Sequence, residues 1–267
     1  MTPSITGLRL ELGRVLSPLL AGRGGPVVHF NLAGQQANTL LHDGRAWPAF
    51  RRTAVGATRR ALRAAQAGGA GLFVQAGFAF VAAVERGAKL DEPLRSCVDT
   101  ILECEALVLA GPLPACVVRL GYLYGPLSAD LRAYRQAFRL GRPYWSGLSA
   151  AGQYHLHQLD AAAALLAAAR PQLAGKTFYA TDGRLVPFEQ FMDDFAHRIG
   201  RPHPLHLPLL SRPLARLVMG EEHLQQTALA MPPATPQPRV PGWQPRFADY
   251  RDGLDQLIEA WQPAGRP

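Results

Sequence analysis

Residues 53–77 read TAVGATRRALRAAQAGGAGLFVQAG. Ala, Leu and Arg recur at helical spacing through the first part, within a longer helical stretch that the pattern places over Trp47–Ala67. The Gly68-Gly69 pair stops that helix, because glycine alone adopts the left-handed C-terminal turn cheaply. An apolar run at residues 72–76, LFVQA, follows as a strand. Helix, glycine stop and buried strand in this order form part of a βαβ unit, and such units build parallel sheets with helices on both faces.

The same alternation continues on either side. Upstream, residues 27–32 (VVHFNL) form a continuous apolar run, as a central parallel strand does, and residues 5–12 (ITGLRLEL) alternate like a strand. Downstream the pattern predicts a helix at 92–110, a strand at 115–120, a helix at 127–140, a short strand at 154–157, a helix at 160–170 and a strand over Thr177–Ala180. Asp182-Gly183 reads as a turn, and Pro187 opens a helix running to 199. Residues 202–245 read as a proline-rich, irregular stretch with short helices, extended from residue 231 on where the prolines crowd. A last helix covers 248–261. The expected fold is α/β: a Rossmann-like parallel sheet flanked by helices, incomplete at the N-terminus, with a small α+β C-terminal subdomain. Residues 1–150 would form the incomplete Rossmann-like core. Residues 151–267 would supply return strands and the subdomain, intertwined with it.

The 267 residues are 48% hydrophobic with a mean hydropathy of −0.02, and no apolar run approaches the roughly 20 residues a membrane helix needs. The N-terminal stretch lacks a basic segment followed by an apolar core, so a cytoplasmic protein is expected. Net charge is +8, carried almost wholly by arginine; lysine stands only at Lys89 and Lys176. Apart from Arg51-Arg52 and Arg59-Arg60 the arginines are scattered, and aromatics do not interleave with them, so nucleic-acid binding is not expected. Three cysteines, Cys97, Cys104 and Cys116, lack disulfide or zinc spacing and read as small buried hydrophobes. His155 and His157 face one side of a strand without an evident third ligand, so no metal site is expected. His203 and His206 read as surface residues beside prolines.

The motif order resembles one family, the extended short-chain dehydrogenases or NAD-dependent epimerase/dehydratase proteins. VVHFNLAG (27–34) looks like its "VVHLAA" strand. CVDTILECEALVL (97–109) looks like "YxxxKxxxExLVL", with Glu105 on the family's Glu. CVVRLGYLYGP (116–126) looks like "VVLRPGxVYGP", and GKTFYATDGRLVPFEQF (175–191) and GWQPRFADYRDGL (242–254) resemble later family stretches. The resemblance implies a nicotinamide cofactor and a Ser/Tyr/Lys set. A Tyr hydroxyl would act as acid or base, and a Lys one helical turn on would lower its pKa.

On that alignment the Tyr position holds Cys97, the Lys position Ile101, the Ser position Phe78 and the family's Asn position Ala54. No Tyr or Lys occurs between residues 90 and 118, so a small slip restores nothing. Gly22 to Gly25 and Gly68 to Gly71 precede strands, so neither is a dinucleotide loop, which must follow one. Leu10-Glu11-Leu12 resembles the end of the family's third strand, where an acidic residue meets adenine. Glu11, Ala33 and Gly34 are therefore the candidate cofactor contacts, for NAD(P) if any, and Arg119, Tyr122 and Tyr124 the candidate substrate-pocket residues. Asp160 is expected to cap the following helix.

If the sheet began at the third strand, residues 27–32 would be an exposed apolar edge. Either residues 5–12 move beside it or a partner chain covers it. Homo-oligomerisation is accordingly expected there or through helices 47–67 and 92–110. The sequence points to a catalytically degenerate family member acting as a binding or scaffold protein. The alternative is an active NAD(P)-dependent oxidoreductase or sugar-nucleotide epimerase whose start lies upstream.

Overall fold

Strand β3 (Leu72–Phe78) is buried at every position, which is why the sequence reads as an unbroken apolar run. It pairs in parallel with β2 (Val28–Asn31) on one side and β4 (Ala115–Leu120) on the other. Beyond β2 lies β1 (Ser4–Thr6), and beyond β4 lies β7 (Thr177–Ala180), both parallel. The five-stranded sheet has the order β1-β2-β3-β4-β7. The computed structural model describes residues 3–21, 27–33, 47–90, 92, 94–142, 144, 152–201, 204–206 and 231–262.

Successive side chains of these strands enter cores on opposite faces. Val28, Phe30, Leu72, Val74 and Val118 pack against α1 (Glu11–Leu20) and α6 (Gln158–Ala168). Phe73 and Ala115 pack against α2 (Trp47–Ala67) and α4 (Leu94–Leu109), with Ala61, Leu62, Ala65 and Val108 beneath them. Helices on both faces of a parallel sheet are the expected Rossmann-like architecture. Gly69, at φ +67°, ends α2, and the amide of Ala70 reaches back to the carbonyl of Ala65.

A second, three-stranded sheet joins β5 (Tyr122–Tyr124), β6 (Gly152–His157) and β8 (Leu185–Pro187), with β6 and β8 antiparallel. Phe188, Phe191 and Phe195 of α7 (Phe188–Arg198) and Tyr250 and Leu254 of α8 (Tyr250–Trp261) form its core. Helices α3 (Val81–Glu85) and α5 (Ala129–Arg139) complete the elements used below. Among the described residues no helix is long and apolar enough to cross a membrane.

The N-terminal segment corrects the sequence reading. Residues 5–12 are not one strand: β1 ends at Thr6, Gly7 turns the chain at φ +89°, and α1 begins at Glu11. The apparent alternation of Leu8, Leu10 and Leu12 is the start of a helical pattern, because Leu12, Leu16 and Leu20 recur every four residues and are the ones buried. Glu11 therefore does not end a third strand. The strand at 27–32 is also not an exposed edge, since β1 and β3 flank it. Of the two ways foreseen to cover it, the chain's own N-terminal residues do so. The proline-rich stretch is free of helix at 204–206 and 231–245; residues 207–230 lie outside the described residues.

Candidate functional site

The positions that the resemblance assigns to catalysis do come together. Phe78 ends β3, Ala54 lies on α2, and Cys97 and Ile101 stand one turn apart on the same face of α4. All four belong to one buried apolar cluster with Phe80, Leu94, Tyr154 and Tyr179. Cys97 is fully buried, and Phe78, Ala54 and Ile101 are nearly so. Burial raises the Cys97 thiol well above its ordinary range. None of these four side chains is charged or carries a hydroxyl.

The polar groups beside this cluster are bonded to the protein itself. Asn31 donates from Nδ2 to Oε1 of Gln75 at 2.8 Å, and Gln75 donates to the carbonyl of Ala76 at 2.8 Å. Thr100 donates to the carbonyl of Ser96 at 2.7 Å. Arg119 of β4 is buried and holds Glu105 of α4 with both Nε (3.1 Å) and Nη2 (2.7 Å). Its Nη1 meets Glu85 and the Tyr179 hydroxyl, each at 2.6 Å. Burial pushes the Glu105 carboxyl up and Arg119 pulls it back; burial would lower the guanidinium, but Glu105 and Glu85 outweigh it and keep it charged. Gly77 is required here: a Cβ would stand 2.5 Å from Oε1 of Glu105.

Among the described residues Arg119, Tyr122 and Tyr124 make different contacts. Arg119 serves the network just described. Tyr122 packs edge-on to His155, Phe188 and Phe191, and Tyr124 is fully buried beneath α8, where Gly253 leaves room for its hydroxyl. Burial raises both phenols. Ala33 follows β2, its amide bonded to Oδ1 of Asn31 at 3.3 Å; Gly34 lies outside the described residues. Asp160 is not the cap of α6. His157 caps it, accepting from the amide of Leu159 at 3.3 Å, while Asp160 accepts the amides of Arg246 and Phe247 at 2.8 and 2.9 Å. His206 is exposed, as expected, and meets Asp193 at 3.1 Å and Glu189 at 3.4 Å with its ring tilted against Tyr144.

Sequence reasoning missed one feature that the strand–turn–helix makes plain. Gly7, Leu10 and Gly13 stand at the three positions of a GxxGxxG loop following β1 and opening α1. A Cβ at Gly13 would lie 2.3 Å from the carbonyl oxygen of Gly7. The signal was the spacing of Gly7 and Gly13 just before leucines at 12, 16 and 20, hidden by the substituted middle glycine.

Sheet, flanking helices and this loop define a Rossmann-like protein built on a dinucleotide-binding plan. No family model matches the chain. It is 31% identical over 262 residues to the 3-diazoavenalumate denitrifying reductase of a Streptomyces species, covering 92% of this chain and 83% of that protein. Its fold is similar to human epimerase family protein SDR39U1 with NADPH (TM-score 0.73, 17% identity, 97% of this chain and 99% of that one). It is likewise similar to UDP-glucose 4-epimerase of Thermotoga maritima with UDP-glucose (TM-score 0.71, 15% identity, 98% of each chain). The chain belongs to the extended short-chain dehydrogenase/reductase, or NAD-dependent epimerase/dehydratase, family.

Proposed function

We propose that this chain is a family member whose proton-transfer site has become hydrophobic core, and that it acts by binding instead of by tyrosine–lysine chemistry. The observation that carries this reading is the cluster of Ala54, Phe78, Cys97 and Ile101, packed and buried at the catalytic positions. A degenerate site still open to solvent would favour altered chemistry. Here all four side chains are buried, the cavity lined by Ala54, Phe78 and Ile101 measures only about 10 Å³, and the polar neighbours Glu105, Arg119 and Gln75 are bonded internally.

A second reading is favoured by the 31% identical relative, which is named for a reduction that removes nitrogen from a diazo acid. Expelling a diazo group as dinitrogen requires neither a phenol nor an ammonium, so losing Tyr and Lys does not by itself oppose it. One assay separates the two. The purified chain is incubated with NADPH or NADH and 3-diazoavenalumate, and in parallel with UDP-glucose and NAD. Cofactor absorbance and product are followed against heat-denatured protein. No turnover above that blank is expected; enzyme-dependent consumption of either substrate would overturn the binding reading.

A further inference from the structure

The fold implies a dinucleotide, and the residues present do not fit one. In a dinucleotide loop the first glycine makes the tight turn, the second lets the backbone approach the pyrophosphate, and the third lets helix and strand pack closely. Gly7 and Gly13 keep the first and third roles. The middle position is Leu10, at the N-cap of α1, where a pyrophosphate would sit. Its Cδ1 reaches within 2.9 Å of the place a Gly7 Cβ would take, so a branched side chain lies across the turn. The next residue, Glu11, sets a carboxylate in the first turn of the helix, where an incoming phosphate would meet like charge.

Topology disagrees independently. A dinucleotide crosses the crevice where strand order reverses, with strands on both sides of the first. Here the order rises without reversal from β1 to β7, and among the described residues β1 is the edge. Only residues 21–27 separate α1 from β2.

Glu11 is also engaged elsewhere. Its Oε1 accepts the amide of Ala129, at the first turn of α5, at 2.7 Å. Its Oε2 accepts Nε2 of Gln158, the first residue of α6, at 2.9 Å. The side-chain Oε1 of Gln158 accepts the amide of Leu127 at 3.1 Å, pressed so close to Gly125 that a Cβ there would stand 2.7 Å away. One carboxylate and one carboxamide thus tie α1, the turn at residues 125–128 and α6 together.

We propose that β1, its turn and α1 no longer form a cofactor loop but a structural latch, in which Glu11 holds the starts of α5 and α6 and no dinucleotide binds. This goes beyond the binding reading above and can fail while that reading stands. Two measurements on the full chain test it. Calorimetric titration with NADPH and with NADH is expected to show no saturable heat; binding by the wild type tighter than about 100 µM overturns the proposal. Hydrogen exchange then compares wild type, Glu11→Ala and Glu11→Gln. Glu11→Ala is expected to speed exchange at Leu127 and Ala129 by about tenfold or more, with β3 and β4 unaffected. Glu11→Gln keeps an acceptor for Ala129 but opposes the Gln158 amide, so a severalfold increase is expected. It decides the matter if Glu11→Ala does not fold. Unchanged exchange in the folded variants overturns the latch. Dinucleotide binding without turnover sinks this inference alone, whereas NAD(P)-dependent turnover of either substrate sinks both.

Discussion

Arg119 shows how a family residue acquires a purely internal role. Its guanidinium and the Glu105 carboxylate are both about 6% exposed, while Glu85, its other acidic partner, is half exposed. Removing the cation strands Glu105 in the core, whereas Glu85 can return to water. Arg119→Met is therefore expected to cost about 3–5 kcal/mol, because a buried carboxylate loses the cation bonded to it. Replacing both members by apolar residues of similar volume removes the stranded charge. The double variant Arg119→Met/Glu105→Met is expected to recover more than half of the loss. Urea midpoints of the two variants and of wild type check this; a double variant no more stable than Arg119→Met would refute it. The pairing of Cys97 and Ile101 was legible at this scale, since residues four apart on a helix share a face. The network around Arg119 was not, because Glu85 lies 34 residues away and Tyr179 60 away, and nothing in local periodicity links them.

At the scale of elements, legibility followed burial. The Trp47–Ala67 helix and the Thr177–Ala180 strand fall where their patterns place them, because glycine stops and uninterrupted apolar runs bound them. Helix α1 was hidden because leucines at 8, 10, 12, 16 and 20 satisfy a two-residue and a four-residue period at once. Only the turn at Gly7 decides between them. Short β5 and β8 carry three residues each, too few to show a period. Asp160 illustrates a second limit: its place at the start of a helix suggested a cap, yet its carboxylate reaches across to the segment before α8. There it accepts two backbone amides, one of them on buried Phe247, whose ring packs 4.4 Å from His157. Asp160→Ala leaves both amides without that acceptor. It is expected to destabilise the protein by about 3 kcal/mol, hydrogen bonds to a charged group being worth about 1.5–3 kcal/mol each and not fully additive. Asp160→Asn, which keeps one good acceptor, is expected to lose less. Denaturation midpoints give the sizes, and amide exchange at Arg246 and Phe247 gives the location; an effect confined to α6 would contradict the assignment.

For the whole molecule, buried titratable groups set a stability optimum. His155 and His157 are fully buried, and burial lowers their pKa values from 6.5 to about 3 and about 4. Unfolded chains bind these protons below about pH 6.5 while the folded state refuses them. Stability therefore falls as pH drops, by up to about 1.4 kcal/mol per pH unit for each ring. Asp182 acts in the opposite sense. Burial is the first cause that raises its carboxyl from 3.8 to about 8, so the folded state keeps a proton that the unfolded chain gives up near 3.8. Its contribution is full below that value and is lost as pH rises through about 8. Between about pH 4 and 6.5 two histidines outweigh one aspartate, and stability rises with pH; from about 6.5 to 8 the aspartate acts without them, and stability falls. His29, also lowered by burial, reinforces the acid limb, whereas Glu105 and Glu11, raised by burial, act in the sense of Asp182. Thermal midpoints measured by circular dichroism are thus expected to peak near about pH 6.5. Asp182→Asn should flatten the alkaline limb and steepen the acid one, where the carboxyl no longer opposes the histidines, and an amide oxygen can still accept the Arg184 amide that Oδ1 holds at 3.1 Å. Wild-type midpoints that climb steadily to pH 8, or an Asp182→Asn curve parallel to wild type throughout, would show that Asp182 does not control that limb.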